Sequence, residues 1–254
     1  DVYKRQPTDG AALSGIFNRE SGTVTMTDSS ISGSESTGLE NDGTMTVRRS
    51  TVSGNGHFYS RPPGPAGGIA NFSTGTLWLT NSTVSGNAGS SAGGILNHGT
   101  LVVASSTLSG NTSPLGVSAI SNSTGALAMG VTVTISGSLI DGDCREGTGT
   151  ITSTGHNVES PGDTCGFDQT GDQPGVTEEQ LNLGPLADNG GPTQTHKPGD
   201  GGFGADSFAI DKIPTAACLD AEGAALIVDQ RGEARPESGG SMCDVGAVEV
   251  QAEP

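Results

Sequence analysis

The chain has 254 residues with 42 Gly, 31% apolar, 15% charged and 4% aromatic side chains, and a net charge of −17. So little aliphatic and aromatic volume argues against a helical or α/β core, and roughly one Gly in six falls far short of the strict triplets of collagen. No apolar run reaches the length of a membrane span.

In chain order, Asp1-Val-Tyr-Lys-Arg-Gln6 reads as a translated sequencing adapter, so residues 1–6 are expected to be a tail outside the fold and the true N-terminus to be lost. An internal repeat follows, and it outranks every local signal. Its first block is Gly-apolar-x-Asn, seen as Gly15-Ile-Phe-Asn18, Gly38-Leu-Glu-Asn41, Gly68-Ile-Ala-Asn71 and Gly94-Ile-Leu-Asn97, with a degenerate Ala119-Ile-Ser-Asn122. Successive Asn residues lie 23, 30, 26 and 25 positions apart. The second block is Gly-Thr-apolar-x-apolar, starting at Gly22, Gly43, Gly75 and Gly99, and the third is Ser/Thr-apolar-Ser-Gly, ending at Gly33, Gly54, Gly86 and Gly110. The two are 11 residues apart in all four copies, and Gly125 to Gly137 is 12 in the fifth, which implies one inserted residue.

Period-two alternation of Thr, Val and Ile between Gly, Asn and Ser turn formers makes each block a short strand. Three short strands cannot bury their apolar sides alone, so each unit must stack on the next. The fold class expected is therefore all-β, a parallel β-helix, right-handed by the crossover rule. Ile16, Leu39, Ile69, Ile95 and Ile120 should form one inward column. Val24, Met45, Leu77 and Leu101 should form a second, and Ile31, Val52, Val84 and Leu108 a third. The Asn residues of the first block (Asn18, Asn41, Asn71, Asn97, Asn122) are expected as a structural ladder at a corner, because stacked amides bond to one another and to turn backbone. One coil is long. Its insertion between Asn55 and Gly67 carries His57, Phe58, Tyr59 and Arg61, candidates for binding a sugar.

Charge then changes sharply. Residues 1–140 hold 7 acids and 6 bases, whereas 141–254 hold 21 acids and 5 bases, with no Lys/Arg stripe, so nucleic acid is disfavoured as a partner. All four Cys fall in this second part. They allow three pairings, of which Cys144–Cys165 with Cys218–Cys243 closes two local loops; a zinc site lacks a C-x-x-C pair or a nearby His. Disulfides imply an oxidising compartment. Thr177-Glu-Glu-Gln180 reads as a helix start. Asp229, Arg231 and Arg235 are expected in a buried ion-pair knot beside Asp211 and Asp244.

The stretch Leu183-Gly-Pro-Leu-Ala-Asp-Asn-Gly-Gly-Pro-Thr-Gln-Thr-His196, then Ala209-Ile-Asp211, Asp229-Gln-Arg-Gly-Glu-Ala-Arg-Pro236 and Cys243-Asp-Val-Gly-Ala-Val-Glu249 resembles the choice-of-anchor Q domain of bacterial surface proteins. Those proteins carry a right-handed β-helix of the pectin lyase-like superfamily. The resemblance implies export to the cell surface and brings no established catalytic residues. The resemblance covers residues 138–249, and the chain is expected to divide into β-helix repeats at 7–167 and an irregular acidic C-terminal cap at 168–254.

Polysaccharide lyases and hydrolases on such folds need aspartates on neighbouring coils with a basic residue nearby. The candidates here are Asp141, Asp143 and Arg145, which equally suit a turn beside a disulfide. Gly201-Gly-Phe-Gly-Ala-Asp-Ser-Phe-Ala209 fits a calcium-binding nonapeptide, but tandem copies are lacking, so no cofactor or metal is expected. No G-x-S-x-G elbow supports a Ser-His-Asp hydrolase. The function expected is an exported, non-catalytic structural, adhesive or glycan-contacting module, with a carbohydrate-active enzyme as the alternative. Its partner would be a polysaccharide or another cell-surface molecule. Solvent-facing carboxylate pairs would favour the enzyme, and a smooth Ser/Thr flank the module.

Overall fold

The computed structural model describes residues 14–56, 65–123, 130–199, 201–202 and 206–251. Between Ile16 and Ser160 the chain visits three parallel sheets in rotation, each of six strands, and forms a right-handed parallel β-helix. The first sheet holds Ile16–Asn18, Leu39–Asn41, Ile69–Asn71, Ile95–Asn97, Ile120–Asn122 and Cys144–Arg145. The second holds Thr23–Thr27, Thr44–Arg48, Thr76–Thr80, Thr100–Ala104, Thr132–Ser136 and Thr150–Ser153. The third holds Ser30–Ser32, Thr51–Ser53, Thr83–Ser85, Thr107–Ser109, Leu139–Asp141 and Val158–Ser160.

Every strand pairs in register with its equivalent one coil on, so side chains of like character fall into columns. Ile16, Leu39, Ile69, Ile95 and Ile120 line the bore as one column. Val24, Met45, Leu77 and Leu101 form another, as do Ile31, Val52, Val84 and Leu108. A fourth column, Met26, Val47, Leu79, Val103 and Ile135, comes from the last apolar position of the second block. Burying one such aliphatic side chain contributes about 1.5–3 kcal/mol, so a bore of continuous columns holds together what no isolated coil can.

Each corner is closed by its own ladder. Where the first sheet gives way to the second, Asn18, Asn41, Asn71 and Asn97 each donate to the Oδ1 of the next Asn at 2.8–2.9 Å, ending at Asn122. Where the second gives way to the third, Asp28, Arg49, Asn81 and Ser105 adopt positive φ. The residue that follows builds a hydroxyl ladder: the backbone N–H groups of Ser29, Ser50, Ser82 and Ser106 donate to Ser50, Ser82, Ser106 and Ser138 Oγ. At the third corner Gly33, Gly54, Gly86 and Gly110 take the left-handed turn, and a second amide ladder runs Asn55–Asn87–Asn111 at 2.9 Å per step.

The fifth coil differs from its expected alignment. Thr134-Ile-Ser-Gly137 imitates the third block, yet Thr132–Ser136 pairs with Thr100–Ala104 in the second sheet and Gly137 takes the positive-φ place of Ser105. The true third block is Leu139-Ile-Asp-Gly142, because Leu139 pairs with Thr107. Counted from Val131, the equivalent of Gly99, to Gly142, the spacing is again 11, so the extra length lies at the preceding corner and not inside the strands.

Beyond the last strand of the β-helix, two stretches of chain follow different courses. Cys165 and Phe167 close the last coil against the bore, and the buried Glu159, at the end of the Ile31 column, accepts from the backbone of Thr164 and Cys165. A short helix at Glu178–Leu181 starts from a capping box between Thr177 and Gln180. From there the chain does not sit over the open end. It folds back along the β-helix, packing a second apolar cluster (Leu181, Ala209, Ile213, Val245) against Leu139 and Val158.

Candidate functional site

Among the described residues, the sequence-derived candidates Asp141, Asp143 and Arg145 form no common cluster. Asp141 sits at the end of a third-sheet strand and accepts from Ser109 Oγ at 2.6 Å. Asp143 is in the following turn with its backbone carbonyl holding Ala119, and Arg145 is exposed on the first sheet. None of the three forms an ion pair with another among the described residues, and the turn that carries them lies beside the Cys144–Cys165 disulfide. His57, Phe58, Tyr59 and Arg61 lie outside the described residues. In the nonapeptide, residues 203–205 also lie outside them, while Ser207 Oγ donates to Leu181 O and ties the segment to the short helix. Among the described residues, no three His, Cys, Asp or Glu side chains are grouped to hold a metal ion. Cys144 pairs with Cys165, and Cys218 with Cys243.

The C-terminal segment carries polar chemistry of its own, and it serves attachment. Gln230 Nε2 donates to Thr51 Oγ1 while its Oε1 accepts from Thr83 Oγ1, and Ala247 N donates to Thr107 Oγ1. His196 Nδ1 donates to Gly184 O at 2.7 Å, which leaves Nε2 as the acceptor for Ser85 Oγ at 2.8 Å. Burial lowers the His196 pKa, against the opposing pull of Gly184 O and Asp141, so the ring is neutral near pH 7. This resembles a Ser–His dyad in geometry, but both side chains are buried under the segment, and their bond clamps it to the third sheet.

The expected ion-pair knot forms around an acid that sequence reasoning missed. Arg235 bonds Glu249 Oε2 at 3.1 Å, Asn81 Oδ1 at 3.0 Å and Gly246 O at 2.9 Å, all buried. Asp229 accepts from Arg231 Nε and from the backbone of Arg231, Glu233 and Glu249. Asp244 accepts from Asp211 N and Val250 N. Burial pushes the Glu249 carboxyl up to about 7, partly countered by Arg235. Every one of these groups is occupied by its neighbours, which describes a fastening and not a reaction centre.

Two of the three flanks are covered over their middle coils. The third sheet lies under the C-terminal segment. On the first, Ala70 and Leu96 are buried with Ala66, Ala92 and Phe72, where the Ala66–Ala92 and Ala88–Thr112 bridges run outside the main sheets. Among the described residues, none covers the second sheet across its first two outward columns. One is Thr23, Thr44, Thr76, Thr100, Thr132 and Thr150; the other is Thr25, Thr46, Trp78, Val102, Thr134 and Thr152. All twelve side chains are exposed or half-buried, and none is ionisable. This flank extends about 24 Å along the axis at ~4.8 Å per coil. Its outer edge, toward the third sheet, is closed by Arg48, which pairs with Asp220 and Glu222 of the C-terminal segment.

The second-block motif contained the signal for this face, since its Thr and the position two residues on are the outward places of a period-two strand. Set against known proteins, the chain matches no family model, no curated protein and no solved structure.

Proposed function

We propose that the chain is a non-catalytic surface module, exported as its resemblance to the choice-of-anchor Q domain implies, whose open threonine flank makes contact with an extended surface. The observation that carries this reading is the second sheet: a charge-free double column, Thr at ten of its twelve places, in a molecule of net charge −17. The two disulfides fit an oxidising, extracellular setting. Catalysis on a polysaccharide would need carboxylates facing solvent on adjacent coils. The outward columns supply Glu40 on the first sheet and Asp141 on the third, on different flanks, and Asp141 is engaged by Ser109.

The test is a panel of neutral and acidic polysaccharides assayed for new reducing ends and for unsaturated products. The module reading expects neither above the level of an Asp141→Asn variant. Turnover that disappears in Asp141→Asn would replace it with the carbohydrate-active enzyme.

A further inference from the structure

The second-sheet flank has properties that narrow its partner. Its two columns present ten Thr in twelve places, in strict register, with rows about 4.8 Å apart along the axis and columns about 6.6 Å apart across it. A β-branched side chain is stiff at χ1, so each Thr has few arrangements open to its hydroxyl and methyl. The rows are locked from behind by the aliphatic bore and at the first corner by the Asn ladder. The array is thus rigid before anything binds.

A single glycan is recognised in a concave site with a few convergent polar groups. This flank has no carboxylate, amide or guanidinium in its two columns. What a rigid, neutral, doubly periodic array of hydroxyls and methyls complements is a solid with a repeat of its own. Ordered water is such a solid. Methyl groups are accommodated in open cages of water, hydroxyls take lattice positions, and holding each water costs only about 0–2 kcal/mol, less where the lattice is already formed. The coil spacing also lies close to the oxygen repeat along one axis of hexagonal ice.

We propose that the outer face of the second sheet binds ice. This rests on reading that face as the contact surface, and names its partner. Trp78, at the third row of the middle column, and Val102 below it are the two departures from threonine. Val keeps the methyl, whereas the Trp78 ring breaks the lattice.

The experiment measures ice-recrystallisation inhibition and thermal hysteresis of the full chain with its disulfides intact. The parent should inhibit recrystallisation. Thr100→Lys and Thr132→Lys should each reduce the inhibition at least tenfold, judged on variants that unfold thermally like the parent. Asp163→Lys, on an exposed turn away from the face, should leave it unchanged. Trp78→Thr should raise it, by restoring the row. If the parent has no effect on ice but is retained on an insoluble polysaccharide in a Trp78-dependent way, ice binding is overturned and the contact face stands. If Thr100→Lys and Asp163→Lys both match the parent on ice and on polysaccharide, both readings fall.

Discussion

A single ladder amide shows how much rests on one side chain. Asn71 Nδ2 donates to Asn97 Oδ1, Gly75 O and Thr100 O, while its Oδ1 accepts from Asn41. Asn71→Ala strands these groups in a buried corner at about 1–3 kcal/mol for each one left unpaired. We expect a clear fall in thermal midpoint, visible by circular dichroism, and a smaller one for Ser29→Ala at an exposed corner. His196 gives a pH signature. Its folded pKa lies below the 6.5 of the free side chain, so an unfolded chain takes up the proton first as pH falls. The Ser85–His196 clamp therefore contributes its stability above pH 6.5 and loses it progressively below. Comparing thermal midpoints from pH 7.5 to 5, the parent should show an acid-side loss that is reduced in His196→Gln.

At the scale of elements, the C-terminal segment is held by the Arg235 knot, the His196 clamp and the Cys218–Cys243 disulfide. Arg235→Leu leaves Glu249 buried without its partner, at about 3–5 kcal/mol for a broken buried pair. Reducing the disulfide removes a further ~3 kcal/mol for a loop of this length. Limited proteolysis should then cut between residues 206 and 251 while leaving 16–160 intact; uniform digestion would show that segment and β-helix unfold together. The strands and three of the bore columns were legible in the sequence because period-two alternation and the 11-residue spacing repeat over four copies. The second amide ladder was legible too, in the recurring Ser-Gly-Asn at Asn55, Asn87 and Asn111, but went unread beside the more conspicuous Gly-apolar-x-Asn block. Gly137 misled because a strand end and a corner share the same Ser-Gly ending. The return path of the C-terminal segment left no trace in periodicity: its contacts join single residues such as Gln230 and Thr83, 147 positions apart. Glu249 was missed for the same reason, since its partner Arg235 belongs to no repeat.

For the whole molecule, stability is a sum over coils and the contacts between neighbours, so damage at one rung propagates only as far as its two interfaces. Length changes are absorbed in a particular way. The Asn55–Gly67 insertion and the extra residues between Asn122 and Val131 both fall at corners, and the strands on either side keep strict pairing with their equivalents. Length taken up at a corner leaves the strand pairing on either side unchanged, so slack there shifts no column. The scaffold is consequently a natural carrier for grafted sequence. A ten-residue epitope spliced between Leu115 and Gly116, in an exposed turn between the third and first sheets, should be recognised by its antibody on a protein that melts like the parent, displaying foreign cargo at one edge without disturbing the threonine lattice.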